Sequence, residues 1–288
     1  MNLIPSAREM QQTALTLRAQ GKRIGFVPTM GNLHEGHLSL VRIARQHADV
    51  VVVSIFVNPT QFGPHEDFAA YPRTFEADRA LCEQEHVDMV FCPSVPDMYP
   101  DGTSIAVTEN ALSRTLCGAS RPGHFDGVCT IVAKLFNVVL PHIAVLGEKD
   151  AQQLRILRRM VRDLLFPVDI LPGPTVRESD GLAMSSRNQY LTPEQRPQAI
   201  CLRRALDEAE RLFTAGERNP VTLMTAMRTF IERFPEANID YVAIVDDETL
   251  QPLNGPIVRP ALVALAVRVG KPRLIDNTTL GRIPASLT

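Results

Sequence analysis

The chain carries little excess charge of either sign. Its 288 residues include 30 basic and 32 acidic side chains, for a formal net charge of −2. Without a basic surplus there is no electrostatic case for nucleic acid or an anionic membrane surface as partner. Long apolar runs are also missing: none reaches the ~18 residues of a membrane span, and the first residues show no charged-then-apolar leader pattern. Cysteine is sparse. Cys82, Cys92, Cys117, Cys129 and Cys201 are odd in number, form no CxxC and lack zinc-ligand spacing. Unpaired thiols in a reducing cytosol are expected, and with them a cytoplasmic protein.

Several catalytic signatures are absent. There is no GxSxG elbow, and no cysteine has a histidine partner by motif. Neither a Walker A loop nor a GxGxxG fingerprint occurs. His34-Glu35-Gly36-His37 is not the zinc-protease HExxH, and no third ligand recurs nearby, so no protein-held metal is expected.

What is present is an ordinary globular composition, 45% hydrophobic and 22% charged. Ser6-Ala7-Arg8-Glu9 reads as a capping box opening a first helix. Strands are expected at Lys22–Val27, Asp49–Val57, Val87–Cys92, His142–Leu146 and Pro167–Leu171, with helices between them and a further strand at Ser104–Thr108. Asp49–Val57 is continuously apolar and β-branched, as in a strand buried on both faces. This alternation predicts an α/β fold, a Rossmann-like doubly wound parallel sheet. Pro172-Gly173-Pro174 is the expected boundary, giving domains 1–173 and 174–288. The second reads as a smaller α+β domain. Its expected elements are strand Thr175–Glu178, helices Pro193–Ala215 and Val221–Arg233, and strands Asp240–Val245, Leu262–Val269 and Arg273–Asn277.

The most informative stretch runs from Ile24 to His37, a buried strand, a Gly/Pro turn and the start of a helix bearing two histidines. Residues three apart share a helix face. A helix N-terminus attracts anions through its unpaired N–H groups and its dipole. Imidazoles added there make a polyphosphate site that needs no covalent step. Lys149, in Gly147-Glu148-Lys149-Asp150, follows a strand end where open α/β sheets place ligands, and suits phosphate; Asp150 suits ribose hydroxyls. Ser185, Ser186 and Arg187 are donor-rich, although alone they read as a polar loop. Gln61 and Gln153 can hold a carboxylate or hydroxyl without adding charge, but alone they read as surface amides. Two other readings stay open on these residues: a nucleotidyltransferase that stops at a nucleotidyl product, and a nucleotide-binding regulator without catalysis.

Six motifs, in order, resemble those of the pantoate–β-alanine ligase (pantothenate synthetase) family. They are Pro28–His37, Phe56-Val57-Asn58-Pro59-Thr60-Gln61-Phe62, Tyr71-Pro72-Arg73-Thr74, Arg121-Pro122-Gly123-His124-Phe125, Gly147–Asp150 and Met184-Ser185-Ser186-Arg187-Asn188. The HxGH element alone indicates only the wider nucleotidyltransferase superfamily. The resemblance implies ATP-dependent condensation of (R)-pantoate with β-alanine through a pantoyl adenylate, releasing pyrophosphate and AMP. It implies ATP contacts from Met30, Gly31, Asn32, Leu33, His34, Glu35, Gly36 and His37, with His37 as proton donor. It assigns the nucleotide also to Gly147, Glu148, Lys149 and Asp150, adenine to Val176, and the phosphates to Met184, Ser185, Ser186 and Arg187 on a closing second domain. Gln61 and Gln153 would hold pantoate, with Asn58, Tyr71 and Arg121 as further substrate residues. Mg²⁺ accompanying ATP and a homodimer formed through the N-terminal domain are likewise implied.

Overall fold

The structure is a computed structural model that describes residues 1–64 and 66–282. In chain order the strands are β1 (Asn2–Ile4), β2 (Ile24–Thr29), β3 (Val50–Ile55), β4 (Met89–Phe91), β5 (Ile143–Gly147), β6 (Asp169–Gly173), β7 (Ala237–Asp246), β8 (Ala261–Val269) and β9 (Arg273–Leu280). The helices are α1 (Ala7–Ala19), α2 (Glu35–His47), α3 (Phe75–Gln84), α4 (Val95–Met98), α5 (Leu116–Ser120), α6 (His124–Val139), α7 (Ala151–Asp163), α8 (Cys201–Thr214) and α9 (Pro220–Ile231). They form two compact units. The first takes Met1–Asn110, Arg121–Glu148 and Gln153–Val176; the second takes Ala111–Ser120, Lys149–Gln152 and the chain from Arg177 on.

The first unit is built on a six-stranded sheet in the order β1-β4-β3-β2-β5-β6, with every pair parallel. Both faces are covered, as the apolar strand at residues 49–57 predicts. Successive side chains of a strand alternate in direction, and β2 shows the result. Val27 joins a buried cluster with Leu40, Val41 and Ala44 of α2 and Cys82 of α3. Phe26 instead meets Phe136 of α6 edge to face, with ring centroids 6.4 Å apart.

Strand order reverses at β2. Its partner β3 is in register along the whole of β2, whereas β5 pairs only at Gly25–Ile143 and Phe26–Ala144. Beyond Phe26 no ladder joins the two strands, and such a reversal of strand order is where open α/β sheets place ligands, at the strands' carboxyl ends. Pro28, with no amide hydrogen to give, stands on the stretch that β5 no longer reaches.

The second unit carries an antiparallel sheet, β7-β8-β9, against α8 and α9. Its core includes Leu202, Leu206, Leu223, Met227, Val263 and Leu265, each fully buried.

Local differences from the sequence reading have physical causes. Ser104–Thr108 is not a strand: the Val107 amide donates to the Thr130 hydroxyl at 2.9 Å, and Ile105 is 79% exposed. Pro172 and Gly173 lie inside β6, paired with Leu146 and Gly147, because an edge strand tolerates proline. A Cβ at Gly173 would overlap Leu40, so close packing of α2 explains the glycine there. Around Thr175–Glu178 only a single bridge, Arg177 to Ala183, forms. α8 begins only at Cys201, and β1, three residues long, gives no sequence signal.

Within the second unit Asp276 is 2% exposed and takes both arms of the Arg177 guanidinium, at 2.7 and 3.0 Å. Removing one partner of a buried pair strands the other charge. Asp276→Ala is therefore expected to lose about 3–5 kcal/mol of stability, read from urea unfolding.

Candidate active site

The turn between β2 and α2 is fixed by one carboxylate. Asp78 of α3 is 1% exposed. Its Oδ2 accepts from the Asn32 amide at 2.9 Å and its Oδ1 from the Leu33 amide at 2.7 Å and the Thr74 hydroxyl at 3.2 Å. Thr29 Oγ1 takes the preceding amide, that of Gly31, at 3.2 Å. Gly31 and Asn32 both have positive φ, +81° and +50°. A Cβ on Gly31 would come within 2.9 Å of Asp78 Oδ2, so backbone angle and space both favour glycine.

The two histidines cap the helix that follows. His34 is the N-cap of α2, and its Nδ1 accepts from the Gly36 amide at 3.2 Å. His37 Nδ1 accepts from the His34 amide, also at 3.2 Å. The imidazoles thus form a reciprocal capping box, with ring centroids 4.2 Å apart. A ring whose Nδ1 accepts carries its hydrogen on Nε2. Both rings sit at the positive end of α2. Glu35 points elsewhere: Arg42 bridges it to Glu85.

Gln61 is held from two sides. It ends a short 3-10 turn, Pro59–Gln61, capped by Asn58. Asn58 is 1% exposed and donates through Nδ2 to Gln61 Oε1 and to the Gly127 carbonyl, both at 3.1 Å. Gln61 Nε2 then lies 3.1 Å from Met30 Sδ, a weak acceptor. Gly127 lets α6 approach this turn, since a Cβ there would overlap the Thr60 carbonyl. Arg121 binds Glu66 through two nitrogens, each at 2.6 Å, and the Gln61 carbonyl at 3.3 Å. His124 is 3.0 Å from Arg121 and 2.8 Å from the same carbonyl. Tyr71 is 6% exposed and packs edge-on against Phe62 at 5.8 Å.

Gly147 ends β5 and Glu148 follows it in the first unit; Gln153 lies early in α7 and Val176 at the last residue of that unit. The neighbouring Gln152 is structural: it accepts from the Cys117 amide at 2.9 Å and donates to Leu112 and Thr115 carbonyls at 2.8 Å. Lys149 and Asp150 belong to the second unit, with Lys149 Nζ 4.0 Å from Asp150 Oδ2. The Lys149 carbonyl accepts from Asn277 Nδ2 at 2.9 Å. Met184–Arg187 lie in the second unit too. Ser185 Oγ accepts from the Arg187 amide at 3.2 Å, and Asn188 ties the loop to Glu178 at 2.6 Å and to the Ala183 carbonyl at 3.1 Å. Among the described residues no group of three or more His, Cys, Asp or Glu is arranged to hold a metal ion.

The sequence reading missed Asp78, Glu66 and Tyr99 as supports of this site. Asp78 stands four residues after Thr74, on a helix whose pattern gives no sign that its carboxylate turns inward. Glu66 and Tyr99 are recognised only through the residues they touch.

Residues 2–279 match the model of the pantoate-beta-alanine ligase family. A pantothenate synthetase of Thermotoga neapolitana is 60% identical over 281 residues, 98% of this chain and 100% of that protein. One from Trichlorobacter lovleyi is 54% identical over 284 residues, 99% and 100% of the two chains. Among solved structures, the pantothenate synthetase of Thermus thermophilus superposes with a TM-score of 0.91 at 47% identity, over 96% of this chain and 99% of that one. The Francisella tularensis pantoate-beta-alanine ligase, complexed with "Beta-gamma ATP" and β-alanine, gives 0.81 at 35% identity, over 99% and 100%.

The Glu66–Arg121 pair has a defined pH dependence. Burial pushes the Glu66 carboxyl up, but the hydrogen bonds and charge of Arg121, with the Gly63 amide and His124, hold it at about 2. A carboxyl lowered from 4.5 stabilises the fold above that value and loses this contribution as pH falls through about 2. Urea unfolding of Glu66→Gln and the unaltered protein should differ fully near neutral pH, with the gap closing toward about pH 2.

Proposed function

Because the chain belongs to the pantoate–β-alanine ligase family, it condenses pantoate with β-alanine at the expense of ATP, and we propose that the His34–His37 pair drives the first half of that reaction. The observation that carries this assignment is the reciprocal cap. Each Nδ1 accepts a backbone amide inside the turn, which in a neutral ring puts the hydrogen on Nε2, a donor type suited to an anion. The pantoate carboxylate attacks the α-phosphorus of ATP. The bond to the bridging oxygen breaks and pyrophosphate leaves with the electron pair. Donors already in position stabilise that charge without reorganising. No nucleophilic side chain is required, because the substrate carboxylate is the nucleophile.

In the second half the β-alanine amine attacks the acyl carbon of pantoyl adenylate. The C–N bond forms as the acyl C–O bond to phosphate breaks, AMP departs with that electron pair, and the proton lost by the amine passes to solvent. We assign Met30–His37 and Gly147–Asp150 to ATP, with Asp150 on the ribose, Lys149 on phosphate and Val176 at adenine. Ser185, Ser186 and Arg187, with Met184, are proposed phosphate contacts of a second unit acting as a lid that keeps water from the adenylate. Gln61 and Gln153 are assigned to pantoate, with Asn58, Tyr71 and Arg121 supporting the substrates. His37 is the proposed proton donor.

Mg²⁺ is proposed as the companion of ATP, where it would neutralise phosphate charge. A homodimer formed through the first unit is proposed. A cytoplasmic location is proposed; no described helix is long and apolar enough to cross a membrane.

Exchange of labelled pyrophosphate into ATP, with pantoate present and β-alanine omitted, tests the adenylate. His37→Ala should slow this exchange about 10²–10³-fold, the usual loss for one transition-state donor, while circular dichroism stays unchanged. Near-normal exchange would remove His37 from the role. Lys149→Ala should likewise impair adenylate formation, measured in single turnover, more than transfer from preformed adenylate to β-alanine.

A further inference from the structure

The Tyr99 hydroxyl takes no part in the reaction described above, yet it lies two hydrogen bonds from Gln61. It donates to Asn58 Oδ1 at 2.8 Å and is 3.1 Å from the Thr60 hydroxyl. The Tyr99 ring is itself held. Lys134 of α6 sits 4.6 Å from the ring centroid while its Nζ donates to the Met98 carbonyl at 2.5 Å, and Phe56 lies 6.4 Å away. α6 therefore reaches Asn58 twice, directly through the Gly127 carbonyl and indirectly through Lys134 and Tyr99.

An amide has a donor end and an acceptor end, and a carboxylate accepts only. With Asn58 Oδ1 facing Tyr99, Asn58 Nδ2 faces Gln61 Oε1, and the Gln61 NH₂ faces Met30. Reversed, Gln61 would present an oxygen to an anionic substrate. We propose that Tyr99 is a positioning residue for pantoate: its hydroxyl restrains the Asn58 amide, which sets Gln61 with its NH₂ toward the substrate carboxylate. This rests on the assignment of Gln61 to pantoate. Thr60 also supplies Asn58 Oδ1, through its amide at 3.4 Å and its hydroxyl at 3.0 Å, so removing the Tyr99 hydroxyl loosens the relay without dismantling the turn. Burial raises the Tyr99 phenol above its ordinary pKa, against a smaller lowering by Thr60, so it remains a donor at working pH.

Tyr99→Phe in the full-length enzyme tests the relay. The pantoate KM is expected to rise about tenfold, the effect of one net hydrogen bond, with the ATP KM within about twofold of normal. The side-chain ¹⁵NH₂ resonances of Asn58 and Gln61 should shift. In a Gln61→Ala background the same substitution should add no further loss. Unmoved amide resonances would overturn the relay, as would an equal rise in both KM values or full additivity with Gln61→Ala. Shifted resonances with an unchanged pantoate KM would keep the relay but overturn the placement of Gln61 on pantoate, and with it the functional half of the proposal.

Discussion

A single buried carboxylate governs the first unit's site. Asp78 accepts two consecutive backbone amides from the turn between β2 and α2. Those amides lie at positive φ and just beyond it, where the chain has no regular ladder to satisfy them. An unmet buried N–H is costly, so the carboxylate fixes the path of the turn as well as satisfying it. The path decides where His34 begins the helix, and the helix start decides which imidazole nitrogens accept the backbone amides there.

The architecture was legible because the sheet is buried on both faces. Such strands announce themselves as apolar runs, and Val50–Val53 is the clearest. Short or bridging pieces were not legible. β1 has three residues and only Ile4 is buried, too little for a periodic signal. At 104–108 the propensity suggested a strand, but the described chain supplies no neighbour to complete a ladder. Pro172-Gly173-Pro174 carried a turn signature that the edge position of β6 overrode.

The candidate site divides in the same manner. His34 and His37 could be singled out because neighbours in sequence define their setting, whereas Gln61 alone reads as a surface amide and is named only through the family resemblance. Asp78, Glu66 and Tyr99 act across 45, 55 and 41 residues on Leu33, Arg121 and Asn58 respectively. Each is one polar residue on an ordinary helix or loop. Only the fold reveals that an acid holds a turn, that another occupies an arginine, or that a phenol restrains an amide.

The discontinuous chain of the second unit has a consequence for synthesis. α5 and its flanks belong there, and Thr115 and Cys117 meet Leu250 and Tyr241, which lie 135 and 124 residues later. During translation this early segment emerges long before its partners exist. The nascent chain must carry Leu112, Leu116 and Cys117, all buried in the finished protein, without their final cover until β7 is made. Synthesis order thus leaves a window in which an apolar early segment is accessible to chaperones or to neighbouring chains.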